Sequence, residues 1–447
     1  MKTFPLHHRQ RDAASAIFQA GIRAVKPDTC VRRSLQLTGN RLKAGKTEYF
    51  LDQIETLYVV GFGKASAAMA RSVEEILGDR IDAGLIVTKY NHGVGLKHCK
   101  AIEAGHPVPD ENGLRGTEAL LGLVSGAGPE DLILCLISGG GSALSPAPIE
   151  GIALSDKQET TRSLLKCGAT IHEINTIRKH LSRIKGGRLC TAANGAQMLS
   201  LILSDVIGDD LDVIASGSTS PDPSTFADCF EILTRYEMIE KIPEAVREHL
   251  SRGLKGQTAE TPKPGDFVFT RVRNRIVGSI SDALTAAEAE ARRLGYAPLI
   301  LSSMVQGEAR EVAKILSGIA KEIQRSGRPL PAPACLLSGG ETTVTVHGDG
   351  LGGRNMELAL AAGISLADAS GILMLSAGTD GSDGPTDAAG AFADGSTLAR
   401  AAASNLSASR YLSRNDSYHF FKRLGDLFIT GPTRTNVMDL QVLLVDA

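Results

Sequence analysis

Two glycine turns in this chain stand where apolar runs end, and both carry groups able to meet a phosphate. Gly61-Phe62-Gly63-Lys64-Ala65-Ser66 follows the run Thr56–Val60 and opens a helical pattern. A helix N-terminus and converging backbone amides attract anions, and Lys64 adds a mobile cation. Gly61, Gly63 and Lys64 are therefore expected at a phosphate, although a glycine turn beside a solvated lysine would look the same. Ser138-Gly139-Gly140-Gly141-Ser142 ends a second apolar run, Asp131–Ser138. Its three glycines and two serines form the other candidate phosphate loop.

Carboxylates and further cations sit at comparable places. Asp205 comes just after the run Met198–Ser204, where a carboxylate can hold Mg²⁺ or take a proton. Asp380 and Asp383 repeat that arrangement after Gly371–Leu375 and are expected metal ligands with Asp205. Glu341, Arg354 and Asn355 surround turns that lead into a helix; Glu341 and Asn355 are expected substrate ligands, and the planar guanidinium of Arg354 suits a carboxylate or a transferring phosphoryl group. Arg178 and Lys185 lie on a helical stretch closing at Gly186-Gly187, which makes them candidate substrate ligands. Aspartate beside glycine is also ordinary turn chemistry, and a basic helix face is commonly just solvated.

Several chemistries are excluded or weakened. Gly61–Lys64 lacks the spacing of a P-loop, and Ser66 stands where a dinucleotide fingerprint needs glycine or alanine, so a nicotinamide enzyme survives as an alternative. His172-Glu173-Ile174-Asn175-Thr176 has threonine where a zinc motif needs its second histidine. No GxSxG elbow is present. A net charge of −2 and no tryptophan argue against nucleic acid as a partner. No long apolar stretch suggests a membrane span, and the first residues, with Asp12, do not resemble a signal peptide. Seven scattered cysteines without a CxxC pair fit reduced thiols and a cytoplasmic setting.

These groups need a scaffold, and the pattern specifies one. Short apolar runs at 56–60, 83–88, 131–138 and 198–204 alternate with helical segments, as in a parallel sheet covered on both faces. A doubly wound α/β domain follows. The stretch Gly253–Asp266 loses its apolar period and gains Pro262 and Pro264, so the domains are expected at 1–262 and 263–447. Arg275–Ser302 reads as strand, helix and strand opening the second domain, and the short strands after Cys335 make that domain mixed α/β.

Together, GFGKAS, GHPVPD, SGGGSAL, NTIRKHLSRIKGGRL, SDVIGDDLDVIASGST, LLSGGETTV, GLGGRNMELAL, SAGTDGSDGPTDAAGA and TGPTRTNVMDL resemble the MOFRL family of glycerate kinases, in order and over nearly the whole chain. The resemblance implies a Rossmann-like N-terminal domain, a C-terminal MOFRL domain and an active site in the cleft between them. It also implies a glycerate 2-kinase using ATP and Mg²⁺ on D-glycerate. Lys64 and Arg354 match the family's marked lysine and arginine. Family members have also been named hydroxypyruvate reductases, which keeps an NAD(P)-dependent reductase as the alternative. Ser218 and Met356 depart from the family's usual proline and glutamine. The first change is expected to loosen the turn before Pro221, and the second to remove a polar contact.

Overall fold

The computed structural model describes residues 5–446. The chain forms two compact units. One is continuous, Pro27–Val277; the other joins the segment up to Lys26 with the chain from Gly278 onward.

The continuous unit starts with a small antiparallel sheet, β1 (Leu35–Thr38), β2 (Arg41–Ala44) and β3 (Thr47–Phe50). Its main sheet is built from β4 (Leu57–Phe62), β5 (Ala83–Lys89), β6 (Cys99–Ala104), β7 (Leu132–Ser138), β8 (Gln197–Leu203) and β9 (Val272–Gly278). They lie in the order β6-β5-β4-β7-β8-β9, and the pairs from β6 to β8 are parallel. Every residue of β7 is buried, as a strand covered on both faces must be. The chain enters the sheet at β4, runs outward to β6, then returns to β7 on the other side. At such a reversal the turns leaving the two central strands diverge, and doubly wound sheets bind ligands there.

Helix Ser66–Leu77 turns Ala67, Met69, Ala70, Val73 and Leu77 inward at helical spacing and ends at Gly78, whose φ of 55° is readily adopted without a side chain. Four further helices, Leu154–Lys166, Ile171–His180, Phe226–Arg235 and Glu244–Leu254, close around a separate apolar cluster that includes Ile177, Phe226 and Leu250. Thr170 and Thr225 cap two of them, each paired with the acid three residues on.

The second unit holds β10 (Ala297–Val305), β11 (Ala334–Gly340), β12 (Ile372–Gly378), β13 (Gly390–Asp394), β14 (Leu427–Phe428) and β15 (Asp439–Val445). The order is β10-β11-β15-β12-β13-β14, with β10 and β11 parallel and the other pairs antiparallel. The sheet is therefore mixed, in line with the expected second domain.

The expected boundary at 262/263 is corrected. The Pro-rich stretch is stitched into the continuous unit: Pro262 O accepts the amide of Asp222 at 2.9 Å, and Thr261 Oγ1 donates to the Asp222 carboxylate at 2.9 Å. β9 then adds the sixth strand of that sheet, so the division falls at 277/278. The strand, helix and strand read from 275 to 302 all exist, but β9 and β10 serve different sheets. Helix Pro5–Ala24 likewise packs with the C-terminal segments, against helix Ile280–Arg293 and strands β12 and β15. Phe18 meets Phe428 edge-on at 5.2 Å, and Gln10 Nε2 donates to Gly371 O at 2.9 Å. Among the described residues all the cysteines are free thiols, and no helix is long and apolar enough to cross a membrane.

Candidate active site

The turns after β4 and β7 are locked together. Lys64 N donates to Gly139 O and Ala65 N to Ser138 Oγ, both at 2.9 Å. Gly63, at φ 133°, is pressed so closely on Ser138 that a Cβ would collide with its main chain. Ser138 is buried and engaged with Ala65, and Gly61 lies within β4, where a Cβ would stand 2.7 Å from Leu136 O. These two residues, expected at phosphate, fasten strand to turn instead. Gly140 and Ser142 are partly exposed while Gly139 and Gly141 are buried, and Gly140 and Gly141 donate no main-chain hydrogen bond to any described residue.

Around that turn the fold gathers reactive side chains. A Cβ at Gly140 would stand 2.9 Å from the His106 ring and 3.3 Å from Lys64 Cε, so both side chains lie directly over the glycine. A Cβ at Gly139 would collide with the Asp205 carboxylate, delivered by the end of β8. The Lys64 ammonium has no hydrogen-bond or ion-pair partner among the described residues, whereas its carbonyl accepts from His92 Nδ1 at 3.1 Å. Burial, then the charges of Lys64 and Lys89, push the His106 imidazole down to about 4, so it is neutral near pH 7. The sequence reading assigned no role to His106 or His92. The GHPVPD segment was visible, but the residue's place over Gly140 depends on β6 lying two strands from β4.

Behind the turn, Ala215, Ser216 and Gly217 have φ of 50°, 57° and 64°. Left-handed backbone costs roughly 1–2 kcal/mol per non-glycine residue, and here it is held from outside. Gly186 and Gly187 amides donate to Ser216 O and Gly217 O at 3.0 and 2.8 Å. Ser216 Oγ also bonds Ser142 Oγ and reaches Asn175 Oδ1 at 3.1 Å. Ser218, in place of the family's proline, is buried with its hydroxyl on Ala215 O at 3.3 Å, so the turn is tied without the ring. Lys185 is fully buried with Nζ 3.4 Å from Ser142 Oγ, and Arg178 lines the same cavity. Those two expected substrate ligands thus border the turn on its far side.

The second unit uses its candidates on one another. Arg354 Nε and Nη2 grip both oxygens of Asp439 at 2.6 and 3.0 Å, and Nη1 donates to Glu341 at 2.5 Å. Burial would lower its proton affinity, but Asp439 and Glu341 outweigh that and hold the guanidinium more firmly charged. Asp383 caps helix Arg354–Ser365, accepting from the amides of Asn355 and Met356 at 3.1 and 2.7 Å. The Asn355 side chain is buried against Asp383 and Ser376, and Asp380 accepts from Ser382 N at 3.0 Å as an ordinary turn aspartate. Asn355 and Asp383 are thus structural here, whereas Asp380 is half-exposed and engages one carboxylate oxygen in its turn. Among the described residues no group of three His, Cys, Asp or Glu could hold a metal ion.

Residues 13–251 match a domain of unknown function (DUF4147), and residues 334–439 match the MOFRL family. A D-glycerate 2-kinase of Thermotoga maritima is 42% identical over 435 residues, covering 97% of both chains. The crystal structure of a glycerate kinase from that organism superposes with a TM-score of 0.87 at 41% identity, covering 98% of this chain and 100% of that one. An Agrobacterium vitis relative, 45% identical over 389 residues and covering 87% of this chain and 86% of its own, carries a provisional hydroxypyruvate reductase name. With both domain models matched in order and such identity along nearly its whole length, the chain belongs to the MOFRL family of glycerate kinases.

Proposed function

We propose that this enzyme transfers the γ-phosphoryl group of ATP to the 2-hydroxyl of D-glycerate, giving 2-phosphoglycerate and ADP. The observation that carries this reading is the convergence of Lys64, His106 and Asp205 on Gly139–Gly140 at the sheet's reversal. The choice of D-glycerate and position 2 follows the name of the Thermotoga maritima relative.

Transfer forms a bond from glycerate O2 to the γ-phosphorus and breaks the bond to the β,γ-bridging oxygen, while the hydroxyl proton leaves. The transition state is loose, so the protein mainly positions the reactants and neutralises spreading negative charge. Lys64, without a competing acceptor, is available to the transferring group. His106, neutral and without a hydrogen-bond partner among the described residues, is placed to take the proton. A phosphate bound beside it would raise its proton affinity at the moment a base is needed.

Magnesium usually keeps several waters and takes one or two carboxylates plus phosphate oxygens, so a single aspartate at the turn suits it. Asp205 would hold it, and the ion would neutralise charge on the β- and γ-phosphates. A nicotinamide reading has less support, because Gly63 is pressed on Ser138 rather than open to a pyrophosphate. Purified protein with ATP, Mg²⁺ and D-glycerate should release ADP and give a product whose phosphorus NMR places the phosphate at position 2. Nicotinamide oxidation with hydroxypyruvate and no ADP release would overturn the proposal.

A further inference from the structure

Beyond Ser142 the continuous unit holds a cavity of about 280 Å³, near the lower end of the roughly 300–1,000 Å³ typical of small-molecule sites. Its charged lining is Lys157, Arg162, Arg178 and Lys185, with no carboxylate. Lys157 Nζ is buried and has no hydrogen-bond partner among the described residues. Lys185 is fully buried and its ammonium reaches just Ser142 Oγ. The three inner cations come from separate places: Lys157 from helix Leu154–Lys166, Arg178 from helix Ile171–His180, and Lys185 from the turn before Gly186. Taking a cation out of water costs several kcal/mol unless it is paired, and this unit pairs its other buried lysine, Lys179, with Asp212 and Asp222. Burial and the Arg178 charge push Lys157 down to about 7, and the same causes, with Lys157 added, hold Lys185 well below its ordinary value. An anion is the missing partner.

The position of the cavity narrows which anion. Ser142 directly follows the Gly139–Gly141 turn, and Pro107 directly follows His106, so the cavity adjoins the groups proposed to handle the phosphoryl transfer. Much of the remaining wall is apolar, including Pro109, Pro146, Leu154 and Leu165, which suits a carbon skeleton better than a hydrated phosphate chain.

We propose that this cavity is the carboxylate seat of the acceptor, in which Lys157, Arg178 and Lys185 hold the acid group of a 2-hydroxy acid, and that Lys157 is a specificity-determining residue. The proposal rests on the kinase reading for what lies at the other end of the acid. Lys157 is kept at a cost in stability because the cation is completed by substrate.

Lys157→Met in the full chain tests this. Losing a charge-assisted contact should raise the KM for D-glycerate roughly 10- to 100-fold, with the KM for ATP unchanged. Preference for D-glycerate over glycerol, which lacks the acid group, should shrink by a similar factor. The melting temperature should hold or rise, since a buried amine without a hydrogen-bond partner is removed, and Lys157→Arg should recover part of the affinity. Calorimetry of D-glycerate binding without ATP gives the same comparison with no turnover required. An unchanged D-glycerate affinity in Lys157→Met overturns the proposal, and so does a shift confined to the KM for ATP, which would make the cavity a phosphate seat. A parent protein that binds D-glycerate through Lys157 but releases no ADP would leave the seat standing and remove the kinase reading.

Discussion

Replacing Arg354 by alanine should destabilise the protein as well as slow it. The guanidinium holds both oxygens of Asp439, whose side chain is 0% exposed at the start of β15. Asp439 faces Gly340 of β11 and Gly378 of β12 and cannot turn out to water. Removing the half-exposed guanidinium leaves the buried Asp439 carboxylate uncompensated, at about 3–5 kcal/mol. The Glu341 contact, half exposed, adds roughly 1 kcal/mol or less. At roughly 2–4 °C per kcal/mol for a folding unit of a couple of hundred residues, the size of the unit that holds Arg354, the melting temperature of Arg354→Ala should fall by roughly 6–24 °C. The double variant Arg354→Met/Asp439→Leu removes both charges and should regain most of the loss, since apolar replacement of a buried pair is often neutral. Calorimetric melting and coupled ADP release are the two assays. A double variant that melts like the parent yet stays slowed by roughly 10³-fold or more marks Arg354 as part of the chemistry, and recovery of both marks it as a brace. An Arg354→Ala protein melting within about 2 °C of the parent would refute the buried-pair reasoning itself.

Lys64→Ala should melt like the parent, because the ammonium holds nothing in place, while kcat/KM falls by roughly 10²–10³ as for loss of a transition-state donor; steady-state kinetics at saturating ATP check it. Asp205→Asn keeps the shape over Gly139 and should raise the Mg²⁺ concentration needed for half-maximal rate, and an unchanged Mg²⁺ titration would make Asp205 a turn residue. His106 must be neutral to accept a proton, and its pKa in the free protein is about 4. On its acid side the kcat/KM profile should therefore fall as pH drops through that value. His106→Gln should lose this limb and run roughly 10²–10⁴-fold slower; a variant with the parent's acid limb would move the base elsewhere.

Much of this protein is legible without coordinates. The apolar runs that became β4, β5, β7 and β8 are bounded by glycine, serine or aspartate, and a short, fully apolar run between helices has few ways to be buried except as a covered parallel strand. Lys64, Asp205 and Gly139–Gly141 stood out because they fall at strand ends, where the special backbone is itself a sequence signal. Four features were decided by tertiary structure alone: the placement of helix Pro5–Ala24, the pairing of Arg354 with the buried Asp439, the gathering of His106 over Gly140, and the unpaired Lys157. Gln10 bonds a carbonyl 361 positions away, and Arg354 finds Asp439 85 positions away. Lys157 sits on an unremarkable amphipathic helix, where nothing local separates a solvated lysine from one buried at a cavity wall. Periodicity and turn chemistry act over a few residues, whereas the state of a charge is set by which distant groups the packed fold brings against it and how much water it leaves there.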